Sequence, residues 1–128
     1  MTRPSARRNV ENSIRRLGYS HVAGTDEVGR GALAGPVVAA AVVLGSSSMF
    51  NGLRDSKLLS ARQRERLYAE ITASANWATA TVSAADVDLL NVHAASLMAM
   101  SQALSGLVPK PDFVLVDGFL LPDLSIPQ

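Results

Sequence analysis

Two adjacent acidic residues and a glycine-rich turn, placed just before an apolar run, constrain this chain more than any other feature. The stretch Gly24–Gly35 contains Asp26, Glu27 and a Gly-Arg-Gly triplet at residues 29–31. The run Pro36–Leu44 is entirely apolar and rich in valine, which favours a strand. Magnesium takes one or two carboxylates, waters and substrate phosphate oxygens as ligands, and glycine lets the backbone approach a ligand closely. The combination predicts a hydrated divalent cation beside a phosphate.

Two other interpretations of this stretch compete with a metal site. An isolated acidic pair before a glycine is most often a solvated turn. The spacing Gly29-x-Gly31-x-x-Ala34 also fits the dinucleotide-binding fingerprint. That fingerprint needs a helix after the glycines, whose N-terminus meets the pyrophosphate, whereas a valine-rich strand is predicted here. Asp26 and Glu27 would also repel a pyrophosphate, so we reject the dinucleotide interpretation.

The acidic pair is predicted at the end of a strand. His21–Glu27 and Pro36–Leu44 are strand candidates separated by a turn, which favours an antiparallel pair. Because side chains alternate along a strand, Asp26 and Glu27 cannot both face one metal in regular geometry. The first strand is therefore expected to end or bend at about Glu27, as the glycines on either side of Arg30 would allow.

The remaining elements follow from hydrophobic spacing, cap residues and alternation. The sequence predicts helices over Arg7–Leu17, from Ser60 to about Thr72 and from Ser83 to Gly106 with a bend at Asn91, and strands over Asn76–Val82 and Phe113–Val116. The first helix is expected to turn Val10, Ile14 and Leu17 inward. Its arginines are expected to form a solvated face, with contact to nucleic-acid phosphates as the alternative.

The last predicted strand ends at another acid. Phe113–Val116 is an unbroken apolar run, as expected for a strand covered on both faces, and Asp117-Gly118 follows it. An Asp-Gly pair after a strand is ordinarily a turn, but sites form at the carboxyl ends of strands in open α/β sheets. Beside Asp26 and Glu27, Asp117 becomes a candidate metal ligand.

Composition limits the class of protein without naming a partner. The chain has 128 residues, 48% of them hydrophobic, which predicts one globular domain. The net charge is +1, and the absence of cysteine excludes disulfides and thiolate metal sites. No apolar run is long enough to span a membrane, and the basic start lacks the apolar core of a signal peptide. A cytoplasmic location is expected.

Four motifs together resemble type 2 ribonuclease H, also called ribonuclease HII. The first is Asp-Glu-Val-Gly-Arg-Gly from Asp26, and the second is Asp-Ser-Lys at residues 55–57 before a helix. The others are the Asp-x-Leu-Asn-x-x-x-Ala pattern of Asp88–Ala95 and the Val-Asp-Gly of residues 116–118. The resemblance covers roughly Val22–Gly118.

The resemblance implies a fold and a metal site. The fold would be ribonuclease H-like α/β, with three antiparallel strands and then a parallel strand flanked by helices, forming one domain over residues 1–128. Asp26, Glu27 and Asp117 would be the catalytic, metal-binding acids. Two Mg²⁺ or Mn²⁺ ions about 3.5–4 Å apart would activate water and stabilise the leaving oxygen.

The resemblance also implies the substrate. Gly29, Arg30 and Gly31 would sense the ribose 2′-hydroxyl, and Ser56 and Lys57 would lie near the substrate backbone, although Lys57 is otherwise an ordinary loop lysine. The intact protein would be a monomer that acts on nucleic acid and not on membranes. It would hydrolyse the RNA strand of RNA–DNA hybrids and cut at single ribonucleotides in duplex DNA, as in ribonucleotide excision repair.

The residues after Asp117 depart from the family pattern. Members continue with a strand, helices, a fourth catalytic Asp and a stacking Tyr, whereas ten residues follow Gly118 here and Asp123 is not equated with the fourth acid. The domain is therefore expected to be incomplete at its C-terminal end, with an exposed edge along Phe113–Val116 that favours self-association. Little nuclease activity is expected from the chain itself. The alternatives are an inactive fragment that binds metal or hybrid, and another ribonuclease H-like nuclease such as an integrase relative.

Overall fold

A computed structural model describes residues 9–29, 35–44, 60–116, 121, 124 and 126–128 of the chain. Four strands and four helices lie within these ranges. They are α1 (Asn9–Arg16), β1 (Val22–Val28), β2 (Val37–Val43), α2 (Ala61–Ser74), β3 (Asn76–Val82), α3 (Ala84–Leu90), α4 (Val92–Ser105) and β4 (Phe113–Val116).

The strands form one mixed sheet in the order β3-β2-β1-β4. β1 pairs antiparallel with β2, and β2 pairs antiparallel with β3. β4 pairs parallel with β1, on the edge of β1 opposite β2. The chain reaches β4 from β3 through α3 and α4. This arrangement confirms the predicted sheet of three antiparallel strands and one parallel strand.

One face of the sheet is buried beneath α4. The side chains of β1 and β2 on this face are small or branched, and Ala23, Ala39 and Ala41 are almost completely buried. The small residues let α4 approach closely, and Met100 and Ala103 of α4 belong to the same apolar cluster. Burial of this face provides most of the core, because burial of apolar surface is the main favourable term in folding.

α1 flanks the opposite face and differs from its prediction. Ile14 is buried, but Val10 and Leu17 are 64% and 78% exposed. The expectation that all three face inward is wrong, because the helix has only two turns and Leu17 lies beyond its last residue, Arg16. Arg15 was expected in a solvated face and is instead largely buried, with its side chain 15% exposed and paired with Glu11 at 3.0 Å.

The start of α2 forms as predicted from its cap residues. Ser60 Oγ accepts a hydrogen bond from the Gln63 N–H, and Gln63 Oε1 accepts one from the Ser60 N–H, which completes the capping box of α2. Leu67 of α2 is buried and Ile71 is half-buried. The predicted bend at Asn91 separates α3 from α4, with a positive φ of 77°. Within the described ranges no helix is long and apolar enough to cross a membrane.

β4 is less covered than its sequence predicts. Only Val114 is buried, whereas the other three side chains of the strand are half-buried. Phe113 and Leu115, on the face opposite Val114, are half-buried, so this face is only partly covered, in contrast to the expected strand covered on both faces. At its edges, β4 pairs with β1 as its only strand partner among the described residues. On the opposite edge, the Val114 N–H donates a hydrogen bond to the Pro127 carbonyl oxygen at 2.9 Å.

Candidate metal centre

Asp26 and Glu27 lie on β1 in regular strand geometry. Their Cα partners on β2 are Ala40 and Ala39, and the pairing continues to Val28. Asp26 is exposed and Glu27 is half-buried, as expected for side chains on opposite faces of a strand. The Asp26 carboxylate accepts a hydrogen bond from the Glu27 N–H at 2.9 Å. The two carboxyl groups therefore start from adjacent backbone positions but leave the sheet on different sides.

The expectation that the first strand ends or bends at about Glu27 is confirmed to within one residue. The strand ends at Val28, and Gly29 follows it with a positive φ of 104°. A Cβ on Gly29 would lie 2.5 Å from the Pro36 carbonyl oxygen, closer than any real contact of that kind. Only glycine fits this position, so the turn begins at Gly29 and the ladder can continue through Glu27.

Thr25 supports the acidic pair from inside the sheet, and sequence reasoning missed it. Thr25 is 8% exposed, and its Oγ1 donates a hydrogen bond to the Ala40 carbonyl oxygen at 2.8 Å. The bond ties β1 to β2 beside Asp26, whose register partner is Ala40. The available signal was alternation, because Thr25 follows Ala23 at the two-residue spacing of the buried face.

The parallel pairing of β1 and β4 brings the carboxyl ends of both strands to one edge of the sheet. The last register partners are Thr25 and Val116, and Asp26 is the next residue of β1. Asp117 is the next residue of the chain after Val116 and lies outside the described residues. The predicted substrate contacts Arg30, Gly31, Ser56 and Lys57 also lie outside them.

A cavity of about 760 Å³ lies over β1 and β2, and both acids contribute to its lining. The rest of the lining is mainly apolar and includes Val10 of α1, Val42 of β2 and Leu115 of β4. Asp26 therefore stands at an accessible, largely apolar surface, whereas the side chain of Glu27 starts from the other face of β1. A carboxylate interacts more strongly with a cation where apolar walls exclude part of the water.

The donor chemistry at this site suits a hard, hydrated cation. Within the ranges described, no three His, Cys, Asp or Glu side chains are grouped to hold a metal. Asp26, Glu27 and Glu11 are the acids in the cavity lining, and Glu11 is paired with Arg15. One or two carboxylates completed by waters and substrate oxygens are the usual protein contribution to a magnesium site. The chain has no cysteine, which excludes thiolate ligands. The residues fit Mg²⁺ or Mn²⁺ in type.

Comparison with known families finds a match over the part of the chain that carries the sequence motifs. The sequence model of the family described as Ribonuclease HII matches residues 23–125. The chain is 49% identical over 121 residues to a ribonuclease HII of Salinispora arenicola, covering 92% of this chain and 45% of the relative. It is 48% identical over 128 residues to that of Ruegeria pomeroyi, covering 99% of this chain and 54% of the relative. The chain thus spans about half the length of these relatives.

Solved structures share the fold. The ribonuclease H2 from Pyrococcus horikoshii OT3 is similar with a TM-score of 0.63 and 28% identity, over 74% of this chain and 48% of that chain. Bst-RNase HIII in complex with Mn²⁺ is similar with a TM-score of 0.55 and 23% identity, over 85% of this chain and 40% of that chain. At 23% identity the second similarity shows the fold alone. Together they confirm the predicted ribonuclease H-like α/β fold class.

Proposed function

We propose that this chain, which belongs to the ribonuclease HII family, supplies metal-binding acids to an endonuclease that hydrolyses the RNA strand of RNA–DNA hybrids. One observation carries the proposal. Asp26 and Glu27 lie near the carboxyl end of β1, and the parallel neighbour β4 runs directly into Asp117. Active sites of α/β sheets form at the carboxyl ends of strands.

The register supports a shared site for Asp26 and Asp117. Thr25 and Val116 are Cα partners, and Cα atoms of neighbouring strands in a sheet are separated by about 4.8 Å. Consecutive Cα atoms are about 3.8 Å apart, so in this proposal Asp117, the next residue after Val116, would lie near the end of β1. If the pairing extends by one residue, the two carboxylates start from adjacent positions on the same face.

In this proposal Asp26, Glu27 and Asp117 hold Mn²⁺ or Mg²⁺. When bound, a pair of such ions would activate water and stabilise the leaving oxygen of the phosphodiester. The chain itself orients the carboxylates. Thr25 fixes β1 against β2 through its bond to the Ala40 carbonyl oxygen, and the turn at Gly29 lets the strand end directly after the acids.

Substrate selection is assigned to the turn and to the loop before α2. We propose that Gly29, Arg30 and Gly31 read the ribose 2′-hydroxyl, the group that distinguishes RNA from DNA. The positive φ of Gly29 supports a tight turn that starts directly after β1, at the first residue of this triplet. Ser56 and Lys57 would contact the backbone phosphates, and cleavage at single ribonucleotides in duplex DNA would follow from the same contacts.

Residues 1–128 are proposed to form part of one ribonuclease H-like domain. The chain spans 45% of the Salinispora arenicola relative and 54% of the Ruegeria pomeroyi relative. A second candidate function is that these residues alone bind metal or hybrid and do not turn over substrate. The two candidates differ in whether cleavage needs the region that only the relatives contain.

A cleavage assay on two chain lengths separates these candidates. We would compare the 128-residue chain with a chimera extended by the second half of the Ruegeria pomeroyi relative, on an RNA–DNA hybrid in Mn²⁺ and in Mg²⁺. We expect the chimera to cut the RNA strand, Asp26→Asn to abolish cutting, and Asp88→Asn, an exposed acid on α3, to leave it intact. Equal turnover by the Asp26→Asn chimera would refute the proposed site, and equal turnover by the short chain would exclude the fragment candidate.

A further inference from the structure

The segment after β4 returns to the outer edge of that strand. The Val114 N–H, on the side of β4 away from β1, donates a hydrogen bond to the Pro127 carbonyl oxygen at 2.9 Å. A strand edge otherwise presents unpaired N–H and C=O groups to solvent. The contact therefore satisfies a backbone donor where β4 has no strand partner among the described residues.

The same segment is closed on itself by the side chain of Gln128. The Leu121 N–H donates to Gln128 Oε1 at 2.6 Å, and Gln128 Nε2 donates to the Leu121 carbonyl oxygen at 3.0 Å. One carboxamide thus satisfies both backbone groups of Leu121, as a neighbouring strand would. Leu121 is 3% exposed and belongs to the main apolar cluster, against which Leu124 and Ile126 also pack.

We infer that Leu121, Leu124 and residues 126–128 form a strap, closed by Gln128, that holds β4 in register beside β1 and so positions the site at the end of β4. The purpose of the strap rests on the proposed function, since Asp117 follows the last residue of β4. Gln128 is a positioning residue in this inference, because it acts through Leu121 and Pro127 and not on the metal or substrate.

The position of β4 at the edge of the sheet makes its local stability depend on such a strap. β4 has four residues and pairs with β1 alone in the part of the sheet that the structure describes. A short strand with one neighbour gains few ladder bonds, so a contact on its other side contributes a large share of its local stability. Pro127 also lacks an N–H, so the strap presents no donor there for a further chain.

The test compares Gln128→Met with the matched control Gln102→Met in the full 128-residue chain. Methionine keeps the length of glutamine and removes both hydrogen bonds, and Gln102 is an exposed glutamine on α4. Hydrogen exchange of the Val114 amide and the dissociation constant for Mn²⁺ are measured for each variant. We expect Gln128→Met to speed exchange of the Val114 amide about tenfold and to weaken Mn²⁺ binding several-fold. Gln102→Met should change neither quantity.

Each outcome decides one part of the inference. An unchanged exchange rate of the Val114 amide in Gln128→Met would overturn the strap. Faster exchange of the Val114 amide in Gln128→Met with unaltered Mn²⁺ affinity would overturn the positioning role of Gln128. A contact that only stabilises the strand would change the exchange rate and leave the Mn²⁺ affinity as it is. A wild-type chain that binds no Mn²⁺ would count against the proposed metal site and against positioning, while the exchange rate would still decide whether the strap exists.

Discussion

Gly29 approaches Pro36 so closely that a Cβ on Gly29 would lie 2.5 Å from the Pro36 carbonyl oxygen. The two residues lie at the two ends of the turn between β1 and β2, and Gly29 is two residues after Glu27. The positive φ of Gly29, 104°, independently disfavours any other residue. The turn next to the acidic pair therefore depends on this one glycine.

Replacement of Gly29 by alanine should destabilise the fold. Gly29→Ala adds both the contact with Pro36 and an unfavourable backbone conformation, and we expect a loss of roughly 1–3 kcal/mol in the free energy of unfolding. Gly24→Ala is the matched control, because a Cβ at Gly24 meets no atom within 4 Å. That control should be neutral or stabilising by up to about 1 kcal/mol. Urea denaturation measures the free energy of unfolding of both variants. Equal changes in the two variants would show that the contact with Pro36 does not affect stability.

Asp112 should make stability depend on pH. Burial alone would raise the pKa of the Asp112 carboxyl, but hydrogen bonds from the backbone N–H groups of Ser20 and His21, at 2.9 and 2.8 Å, outweigh burial and hold the pKa below its usual value. A depressed pKa in the folded state adds stability above the unfolded-state value of about 3.9, and this stability is lost as the pH falls through the folded-state pKa.

Asp112→Asn should remove that contribution. Unfolding by urea, followed from neutral to acidic pH, should show a variant less stable than wild type at neutral pH and a difference that shrinks as the carboxyl of Asp112 becomes protonated. Asp88→Asn, at an exposed position on α3, controls for the loss of one negative charge. A difference between Asp112→Asn and wild type that stays constant with pH would contradict the role of the ionised carboxylate.

Arg15 should be worth more to stability than the neighbouring Arg16. Arg15 Nη1 donates to the Ser20 carbonyl oxygen at 2.7 Å and Nη2 to that of Leu44 at 2.8 Å, which ties α1 to the ends of β1 and β2. We expect Arg15→Ala to cost about 1–3 kcal/mol in the free energy of unfolding, and Arg16→Ala, at an exposed position, about 0.5 kcal/mol or less. Equal losses in the free energy of unfolding for the two variants, measured by thermal or urea unfolding, would contradict this stabilising role of Arg15.

The sequence predicted the elements whose signals are local. Asn76–Val82 was predicted with the boundaries that the structure has, because Trp77, Thr79 and Thr81 alternate with smaller side chains. The start of α2 followed from Ser60 and Gln63, since a capping box involves only four residues. Alternation and caps are decided by neighbours in sequence, so one chain suffices to find them.

The misses depend on contacts between distant parts of the chain. No local pattern distinguishes Arg15 from Arg16, because the partners of Arg15 include the Leu44 carbonyl oxygen at the end of β2. The pairing of Leu121 with Gln128 has no periodic signal.

Gly31→Ala should separate recognition from general binding. In the proposed function the added Cβ lies where backbone approaches the ribose, so cleavage at a single ribonucleotide in duplex DNA should fall more than affinity for plain duplex DNA. The measurement is best made in the chimera of full family length, with Gly24→Ala as the control glycine. An equal loss of cleavage and duplex affinity would mean that Gly31 only shapes the turn.

Titration with Mn²⁺ of wild type, Asp26→Asn, Asp117→Asn and the double variant tests most directly whether the two acids form one site. We predict that each single change weakens binding at least about tenfold, because one charge pair at 4 Å is worth about 4 kcal/mol at an effective dielectric constant of 20. Because both carboxylates would bind the same ion, the effects should not add in the double variant. Asp88→Asn should bind as wild type does. Unchanged Mn²⁺ affinity in Asp117→Asn, or simple addition of the two effects, would contradict a shared site.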